Sequence, residues 1–451
     1  MQKNDQDSLV CRDNLRRIFL DFMQMSDFAE EPLIITEADG VWYKDIKENR
    51  ILDGLSGIYV VNLGHNNPRI KEAIRKQTEA ITFAPPLHST TLPAIRLAKL
   101  ISEITPGELN AVKLLSGGSE ATEAAIKLAR QYHYQTGNPT KYKVISLYKG
   151  FHGTTMGSLS ATGLKERKKF FEPGLPGFIH VFPPYCYRCP YHKKYPDCGI
   201  RCATIIGDVI EMEGPETVSS LIVEPIGNTG GIITPPPEYL PLLREICNQY
   251  NVFLIFDEII TGFGRTGNMF AAQTFDVTPD ILCMGKGMGS GYTPLAAIAF
   301  QNKHAEAFWG EKGREFCEGH TYAGNALSSA VGIACINEIR ERRLCERAQR
   351  LGGYLRNELE ELREFGVIGD IRGKGLLIGV EFVKNPKTKE PFGKKIKFGI
   401  KVGKIALKKG LLIRYATEWV AFAPPLIISE EEINQMLKVF KDSLKEALIS
   451  S

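Results

Sequence analysis

The chain of 451 residues has room for two or three domains and a large core, and its 43% hydrophobic and 24% charged residues are the balance of a soluble globular protein. A formal charge of +4 over that length, with no basic patch interleaved with aromatics, excludes a nucleic-acid-binding surface. No uncharged apolar run nears the roughly 20 residues of a membrane span, and the opening MQKNDQDSLVCRDNLRR lacks a signal-peptide core, so a cytoplasmic protein that touches no membrane is expected.

Residues 1 to about 30 read as a helical arm, with Leu15, Ile18, Phe19 and Phe22 at helical spacing. Ile34 to Asp53 has the character of strands, with Gly40 and Lys44-Asp45 as turn signals. The Gly, Asn and Pro residues between Gly54 and Pro68 predict a shaped loop, followed by a helix from Pro68. From there to about residue 300, helical stretches (Ala94–Ile104, Glu120–Tyr134, Pro237–Asn251) separate short apolar runs. The runs are Ala111–Leu115, Lys143–Tyr148, Ser220–Glu224, Val252–Asp257, Ile281–Met284 and Ala296–Phe300. This alternation predicts βαβ units and an α/β fold whose mostly parallel sheet is covered on both faces. Ligands of such sheets bind at the carboxyl ends of the strands.

Beyond about residue 330 the pattern changes. A long helix, Ala326 to Glu346, precedes a second at Tyr354–Glu364 and an alternating strand pair around Gly373–Gly375. Short apolar runs at Leu411–Arg414 and Val420–Pro425 lead to a last helix that Ser429 would cap, with Ile433, Met436, Leu437, Phe440 and Leu444 on one face. The predicted division is an arm and joining segment over 1–66, a large α/β domain over 67–325 and a small α+β domain over 326–451.

Four groups fall where predicted strands end. Ser116-Gly117-Gly118-Ser119-Glu120 opens a helix, either as an ordinary N-cap or with its free N–H groups cradling a phosphate. Phe151 and His152 follow the run ending at Tyr148, and an aromatic there either stacks on a planar ring or fills the core. Asp257 ends a strand buried on both faces, so it needs a cation: Arg265 or a protonated ligand nitrogen. Glu258 beside it has no assignable catalytic role. Lys286, between Gly285 and Gly287, is either a solvent-facing lysine or an amine placed to form an imine with an aldehyde. A phosphate cup, a stacking aromatic, a carboxylate for a ring nitrogen and an imine-forming lysine together match pyridoxal 5′-phosphate.

The block FDEIITGFGRTG followed by GKG, within a likeness running from Leu52-Asp53-Gly54 to Pro424-Pro425-Leu426, resembles the class III (ω-type) aminotransferases. These belong to the fold-type I, aspartate aminotransferase-like enzymes that use pyridoxal 5′-phosphate. The resemblance implies that Lys286 holds the cofactor as a Schiff base and shuttles the migrating proton, while Asp257 keeps the pyridine nitrogen protonated. It implies that Phe151, where the family more often has Tyr, stacks on one ring face and Ile259 presses the other. The Gly118 and Ser119 backbone would bind the phosphate, and Glu224 would sit beside the ring. Thr321 would reach the phosphate of the neighbouring subunit, which implies a homodimer with shared sites; whether dimers pair into tetramers stays open. Arg414 would bind a substrate carboxylate. Tyr59 would stand in the substrate pocket or pack at the dimer interface.

Two departures bear on the substrate. Where ornithine- and 4-aminobutyrate-type members carry a Glu that pairs with the substrate arginine, this chain has Thr229, and where they tend to carry Gln it has Ile260. Both resemble the branch that moves the amino group of an ω-amino acid or primary amine (β-alanine, taurine, a diamine) to pyruvate. The competing expectations are a 2-oxoglutarate-dependent 4-aminobutyrate or ornithine aminotransferase, an adenosylmethionine-8-amino-7-oxononanoate aminotransferase, and a non-catalytic binding protein on the same fold. Finally, Cys186, Cys189, Cys198 and Cys202 cluster in YCYRCPYHKKYPDCGIRC. They could hold a structural zinc, pair as disulfides or stay reduced, and no metal is assigned to the catalytic site.

Overall fold

A computed structural model describes residues 9–393 and 395–449. At its centre lies a seven-stranded sheet. Its order is Ala111–Leu115, Ala296–Phe300, Ile281–Met284, Phe253–Asp257, Val218–Val223, Lys143–Leu147 and Phe178–Val181. All neighbours from Ile281–Met284 outward to Phe178–Val181 are parallel, and Ala296–Phe300 alone runs against both of its neighbours. The mostly parallel α/β sheet expected from the alternating pattern is therefore present.

The strands read as unbroken apolar runs because both faces are covered. Successive residues still point to opposite faces. Phe253, Ile255, Ile281, Cys283, Ala296 and Ile298 join one core with Ala121, Ala124, Ala125, Leu128 and Ala129 of the helix Gly118–Gln135. Leu254, Phe256, Leu282, Met284, Ala297 and Ala299 join the other core, beneath Leu97 and Ile101 of Leu92–Ile104 and Val331 and Ile336 of Ala326–Glu341. The alanine-rich stripe of Gly118–Gln135 lets that helix lie close to the sheet, which fixes its first turn at the strand ends.

Two four-stranded sheets complete the fold. Ile35–Asp39, Trp42–Asp45 and Arg50–Asp53 form a meander joined in parallel by Leu411–Leu412, with Leu411 opposite Leu52. Ile368–Lys374, Leu377–Phe382, Trp419–Phe422 and Arg414–Tyr415 form the other, wholly antiparallel. The last helix, Glu430–Ile449, opens with a reciprocal cap: Glu432 N–H donates to Ser429 Oγ at 3.1 Å and Ser429 N–H to Glu432 Oε2 at 2.9 Å.

Three expectations need correction. The N-terminal arm is not one helix: Arg12–Leu15 and Met25–Glu30 are short helices, and Phe19 and Phe22 lie exposed between them. The part of that arm over residues 1–8 lies outside the described residues. The long helix from Ala326 stops at Glu341, because Arg343 takes a left-handed φ of 52° before a new helix runs from Leu344 to Glu361. Arg201–Glu213 and Phe398–Lys408 are helices and Phe178–Val181 a strand that the apolar pattern did not mark. In Phe398–Lys408 two glycines hide the periodicity, and both are there for contact: a Cβ on Gly403 would sit 2.2 Å from Tyr415 Cδ1, and one on Gly399 2.4 Å from the Ala416 carbonyl.

Arg265 is fully buried and ties three regions of chain together. Its guanidinium donates to the Leu376 carbonyl at 3.1 Å, the Pro424 carbonyl at 2.6 Å, Ser56 Oγ at 2.9 Å and Asn62 Oδ1 at 2.7 Å. Burial lowers its pKa to about 10, against the pull of Asp53 and Tyr59. Replacing Arg265 by alanine would orphan buried acceptors on all three segments. The expected loss is about 3–5 kcal/mol, read as a lowered urea midpoint; an unchanged midpoint would show that water replaces the guanidinium freely.

Candidate active site

The strands Val218–Val223, Phe253–Asp257 and Ile281–Met284 end side by side, and each delivers one charged group. Asp257 is 4% exposed. Its Oδ2 lies 2.8 Å from His152 Nδ1, and its Oδ1 accepts the Ile259 N–H at 3.2 Å. The partner anticipated as one possibility, Arg265, is bound elsewhere, and His152, read only as an accompaniment to Phe151, takes that place. His152 comes from the tight turn after Lys143–Leu147, where Lys149 adopts a φ of 66°. Its Nε2 is buried without a partner.

Glu224 follows Val223 and is 9% exposed. Its Oε1 accepts the Phe151 N–H at 3.0 Å, and its Oε2 accepts both the backbone N–H and the side-chain amide of Asn228, each at 3.0 Å. Burial raises the Glu224 pKa above the ordinary carboxylate value; the nearby His152 opposes this and Asp257 adds to it. Glu224 therefore fixes the position of Phe151, which is half-buried beside it.

Lys286 begins a short turn, Lys286–Met288, directly after the third strand, with a left-handed φ of 42°. Side-chain-bearing residues hold that conformation only where the surroundings impose it, and such positions cluster at functional sites. Burial lowers the Lys286 pKa from its ordinary value, while Asp257 and Glu224 pull it up. The lysine thus stands within electrostatic reach of both carboxylates, with its neutral amine easier to form than in water.

Ile259 joins these groups to the helix Gly118–Gln135. A Cβ on Gly118 would meet Ile259 Cγ2 at 3.2 Å, and one on Gly285 would meet Ile259 Cδ1 at 3.3 Å, so this side chain fills the gap between helix start and lysine turn. Gly117, at the helix start, supplies no side-chain cap. Ser119 Oγ accepts the Thr154 N–H at 3.0 Å, which docks the turn carrying Phe151 and His152 onto the helix start. The structure therefore brings Gly118, Ser119, Phe151, Glu224, Asp257, Ile259 and Lys286 to one edge of the sheet.

Tyr59 lies on the other side of this edge. It is 5% exposed and packs with Leu55, Ile226, Ile232, Ala421 and Ala423 of its own chain, with Ile260 and Trp419 against the cluster. Its hydroxyl has no partner, and burial raises its pKa to about 12 against the nearby positive charges of Arg414 and Arg265. Arg414 is half-buried on a short strand paired to Ala421, with no ion pair or side-chain hydrogen bond to any described residue. Thr321 is not drawn into this group. It is exposed in the turn before Ala326–Glu341, which is held by Asn325 Nδ2 donating to the Thr82 carbonyl at 3.0 Å.

Glu258 proves structural. It is fully buried and caps the helix Ala271–Thr274 by accepting the N–H groups of Ala271 at 2.5 Å and Ala272 at 2.7 Å, with Thr261 Oγ1 donating at 2.9 Å. Burial raises its pKa to about 7. The four clustered cysteines are free thiols lining one small cavity together with Pro183, Pro184 and Tyr191. Among the described residues no group of three or more His, Cys, Asp or Glu is placed to hold a metal ion.

The family model for class-III aminotransferases matches residues 25–444. The chain belongs to the class III aminotransferases. An adenosylmethionine-8-amino-7-oxononanoate aminotransferase of Methanocaldococcus jannaschii is 35% identical over 94% of this aminotransferase and 95% of its own length. A putrescine–pyruvate aminotransferase of Pseudomonas aeruginosa is 32% identical over 97% and 95%. Among solved structures, a thermostable (S)-enantioselective omega-transaminase from Thermomicrobium roseum superposes with a TM-score of 0.94 at 34% identity, covering 98% of this chain and 99% of that one. The fold is thus that of fold-type I transferases, and the aminotransferase uses pyridoxal 5′-phosphate, as its class does. The residues fit that cofactor. The helix start has no side-chain cap, burial lowers the lysine pKa, and among the described residues the buried Asp257 carboxylate has no Lys or Arg within ion-pair distance, only the His152 ring.

Proposed function

We propose that the enzyme moves the amino group of an ω-amino acid or primary amine to pyruvate. The observation that carries this reading is Arg414: a half-buried guanidinium with no acidic partner among the described residues. Thr229, where a paired Glu stands in ornithine- and 4-aminobutyrate-type enzymes, offers it no carboxylate. Such an arginine is free to take the carboxylate of pyruvate or alanine and to withdraw when an amine without one enters. The similarity to a putrescine–pyruvate aminotransferase and to omega-transaminases supports the same branch.

In this reading the first-turn N–H groups at Gly118 and Ser119 hold the cofactor phosphate. Phe151 and Ile259 would hold the cofactor ring between them, and Glu224, which accepts the Phe151 N–H, keeps that aromatic in place. Asp257, oriented by His152, would hold the proton of the ring nitrogen. When bound, pyridoxal phosphate supplies an electrophilic carbon for the amine and an electron-withdrawing ring that acidifies the adjacent C–H bond. Lys286 would take that proton and return it two atoms away, a 1,3 shift suited to an amine whose pKa burial has lowered. Tyr59 bounds the substrate pocket.

We further propose a homodimer with shared sites. Ile95, in one groove with Ala323 and Gly324, and Tyr322 are large exposed apolar side chains beside the Thr321 turn, a surface suited to a second copy, which would bring Thr321 to the partner's phosphate.

The test is a donor and acceptor panel: β-alanine, taurine, putrescine and simple amines with pyruvate or 2-oxoglutarate, measuring alanine and glutamate formed. Alanine is expected to predominate. A strong preference for 2-oxoglutarate would overturn the argument from Thr229 and Ile260, and product from S-adenosylmethionine with 7-keto-8-aminopelargonate would favour the relatives of that specificity.

A further inference from the structure

The loop that follows Glu224 touches two other parts of the molecule at once. Residues 227–233 double back on themselves: the Gly227 N–H donates to the Ile233 carbonyl at 2.9 Å, and the Ile233 N–H to the Gly227 carbonyl at 2.8 Å. One side of the tip lies on the turn that carries Phe151, since a Cβ on Gly230 would sit 2.8 Å from both the Cβ and the carbonyl oxygen of Lys149. The other side lies on the wholly antiparallel sheet. A Cβ on Gly379 of Leu377–Phe382 would sit 2.9 Å from Ile232 Cβ and 3.2 Å from the Gly231 carbonyl oxygen. The loop is a wedge between that sheet and the Phe151 turn.

Arg372, paired across the sheet with Gly379, anchors the wedge. It is 7% exposed. Its Nε donates to the Gly231 carbonyl at 2.7 Å, while its Nη1 donates to Glu381 Oε2 at 2.7 Å and to Asp370 Oδ2 at 2.9 Å. Glu381 is held in turn by Arg188 Nε at 2.5 Å and by the Tyr185 hydroxyl. The guanidinium therefore cannot swing away without breaking a buried ion pair. From Gly231 the hydrogen bonds run on without a gap. The Gly231 and Ile232 N–H groups donate to the Asn228 carbonyl at 3.0 and 3.1 Å, Asn228 donates twice to Glu224 Oε2, and Glu224 Oε1 accepts the Phe151 N–H. No side chain fits at Gly231, where the φ is 109° and a Cβ would meet Arg372 Nη2 at 3.0 Å and Trp419 Nε1 at 3.1 Å.

Hydrogen bonds in series in a buried interior orient and strengthen one another. The fixed end of this series is the guanidinium, held by two carboxylates as well as by the Gly231 carbonyl. The other end is Phe151. We propose that Arg372 is a positioning residue for the cofactor: it holds the wedge, the wedge holds Glu224, and Glu224 holds Phe151 against the pyridoxal ring. The antiparallel sheet and the cofactor site are then joined through one buried arginine that no motif marked. This inference rests on the reading that Phe151 stacks on the ring, and it names what keeps that aromatic there.

The test follows loss of pyridoxal 5′-phosphate from the holoenzyme, read as decay of its visible absorbance after transfer to cofactor-free buffer. Arg372→Lys keeps a positive charge for Glu381 and Asp370 but lacks the planar fork that also reaches the Gly231 carbonyl. It is expected to lose cofactor about tenfold faster than the wild type, and so is Asn228→Ala, which removes one donor to Glu224. Because both act on one path, the double variant should also lose cofactor about tenfold faster, short of the ~100-fold of independent effects. Gly231→Ala, whose Cβ would displace the guanidinium without removing it, should reproduce the Arg372→Lys rate. Asp370→Asn removes an ion pair of Arg372 that lies off the path and should leave the rate of cofactor loss unchanged. A wild-type rate in Arg372→Lys, losses that multiply in the double variant, or an equal loss in Asp370→Asn overturns the proposal. If Phe151→Ala retains cofactor as the wild type does, the ring contact falls and the proposal with it. If Phe151→Ala loses cofactor quickly while Arg372→Lys does not, the ring contact stands and the role of Arg372 falls alone.

Discussion

Replacing Lys286 by alanine is expected to abolish transamination, with at least ~10⁴-fold lost from the rate. In the proposed reading two roles would fall together: covalent attachment of the cofactor and transfer of the migrating proton. Among the described residues, the charged groups that act on the Lys286 pKa are the carboxylates of Asp257 and Glu224 and no second amine. The visible absorbance of lysine-bound cofactor should vanish as well, while cofactor held only by phosphate and ring contacts can still be detected by its phosphate content. Retained turnover would remove Lys286 from the chemistry and with it the reading of the whole strand edge.

The second large effect is expected at Asp257. Asp257→Asn keeps the size of the side chain and its place at the end of Phe253–Asp257 while deleting the negative charge proposed to hold the ring-nitrogen proton. A loss of about 10²–10³-fold in kcat is expected, the scale of removing one preorganised electrostatic contact. The buried Asp257 carboxylate has its Oδ2 on His152 Nδ1, so the substitution also disturbs the tautomer of that imidazole. His152→Ala separates the two contributions. It leaves the carboxylate in place and should cost less, by an altered orientation alone. Equal losses in the two variants would mean that the pair acts through its hydrogen bond, and a wild-type rate in Asp257→Asn would exclude the electrostatic role.

Much of this was legible in the sequence because the large sheet depends on local patterns. Continuous apolar runs mark strands buried on both faces, and Ala111–Leu115, Ile281–Met284 and Ala296–Phe300 match the predicted bounds. Asp257 and Lys286 stood out because a carboxylate or an amine at the end of such a run conflicts with its surroundings unless something binds there. The rest depends on contacts distant in sequence. Nothing near His152 announces that it pairs with Asp257, 105 residues on. The hold of Glu224 on the Phe151 N–H spans 73 residues. Glu258 and Asp257 are equivalent by composition, and only their neighbours separate a helix cap from a buried ion facing the lysine. The helix Phe398–Lys408 escaped because its glycines serve packing against Tyr415 and Ala416, where a sequence pattern reads them as breakers.

The single reversed strand, Ala296–Phe300, has a consequence for how the lysine can vary. The chain leaves Ile281–Met284, passes through Lys286 and returns along the adjacent strand, with Ala297 opposite Met284. Within that connection the Lys286 carbonyl accepts the N–H groups of Gly289 at 3.0 Å and Ser290 at 3.1 Å, and Ser290 Oγ accepts the Leu63 N–H at 3.0 Å. Both ends are therefore clamped in one sheet and the middle is pinned to another part of the chain. One residue added here would have to bulge between those clamps or shift the pairing by one, which turns every inward side chain outward. Evolution can lengthen the loops around the pocket to change substrates, but this connection tolerates substitution and not insertion. Its length is as constrained as the identity of the lysine it carries.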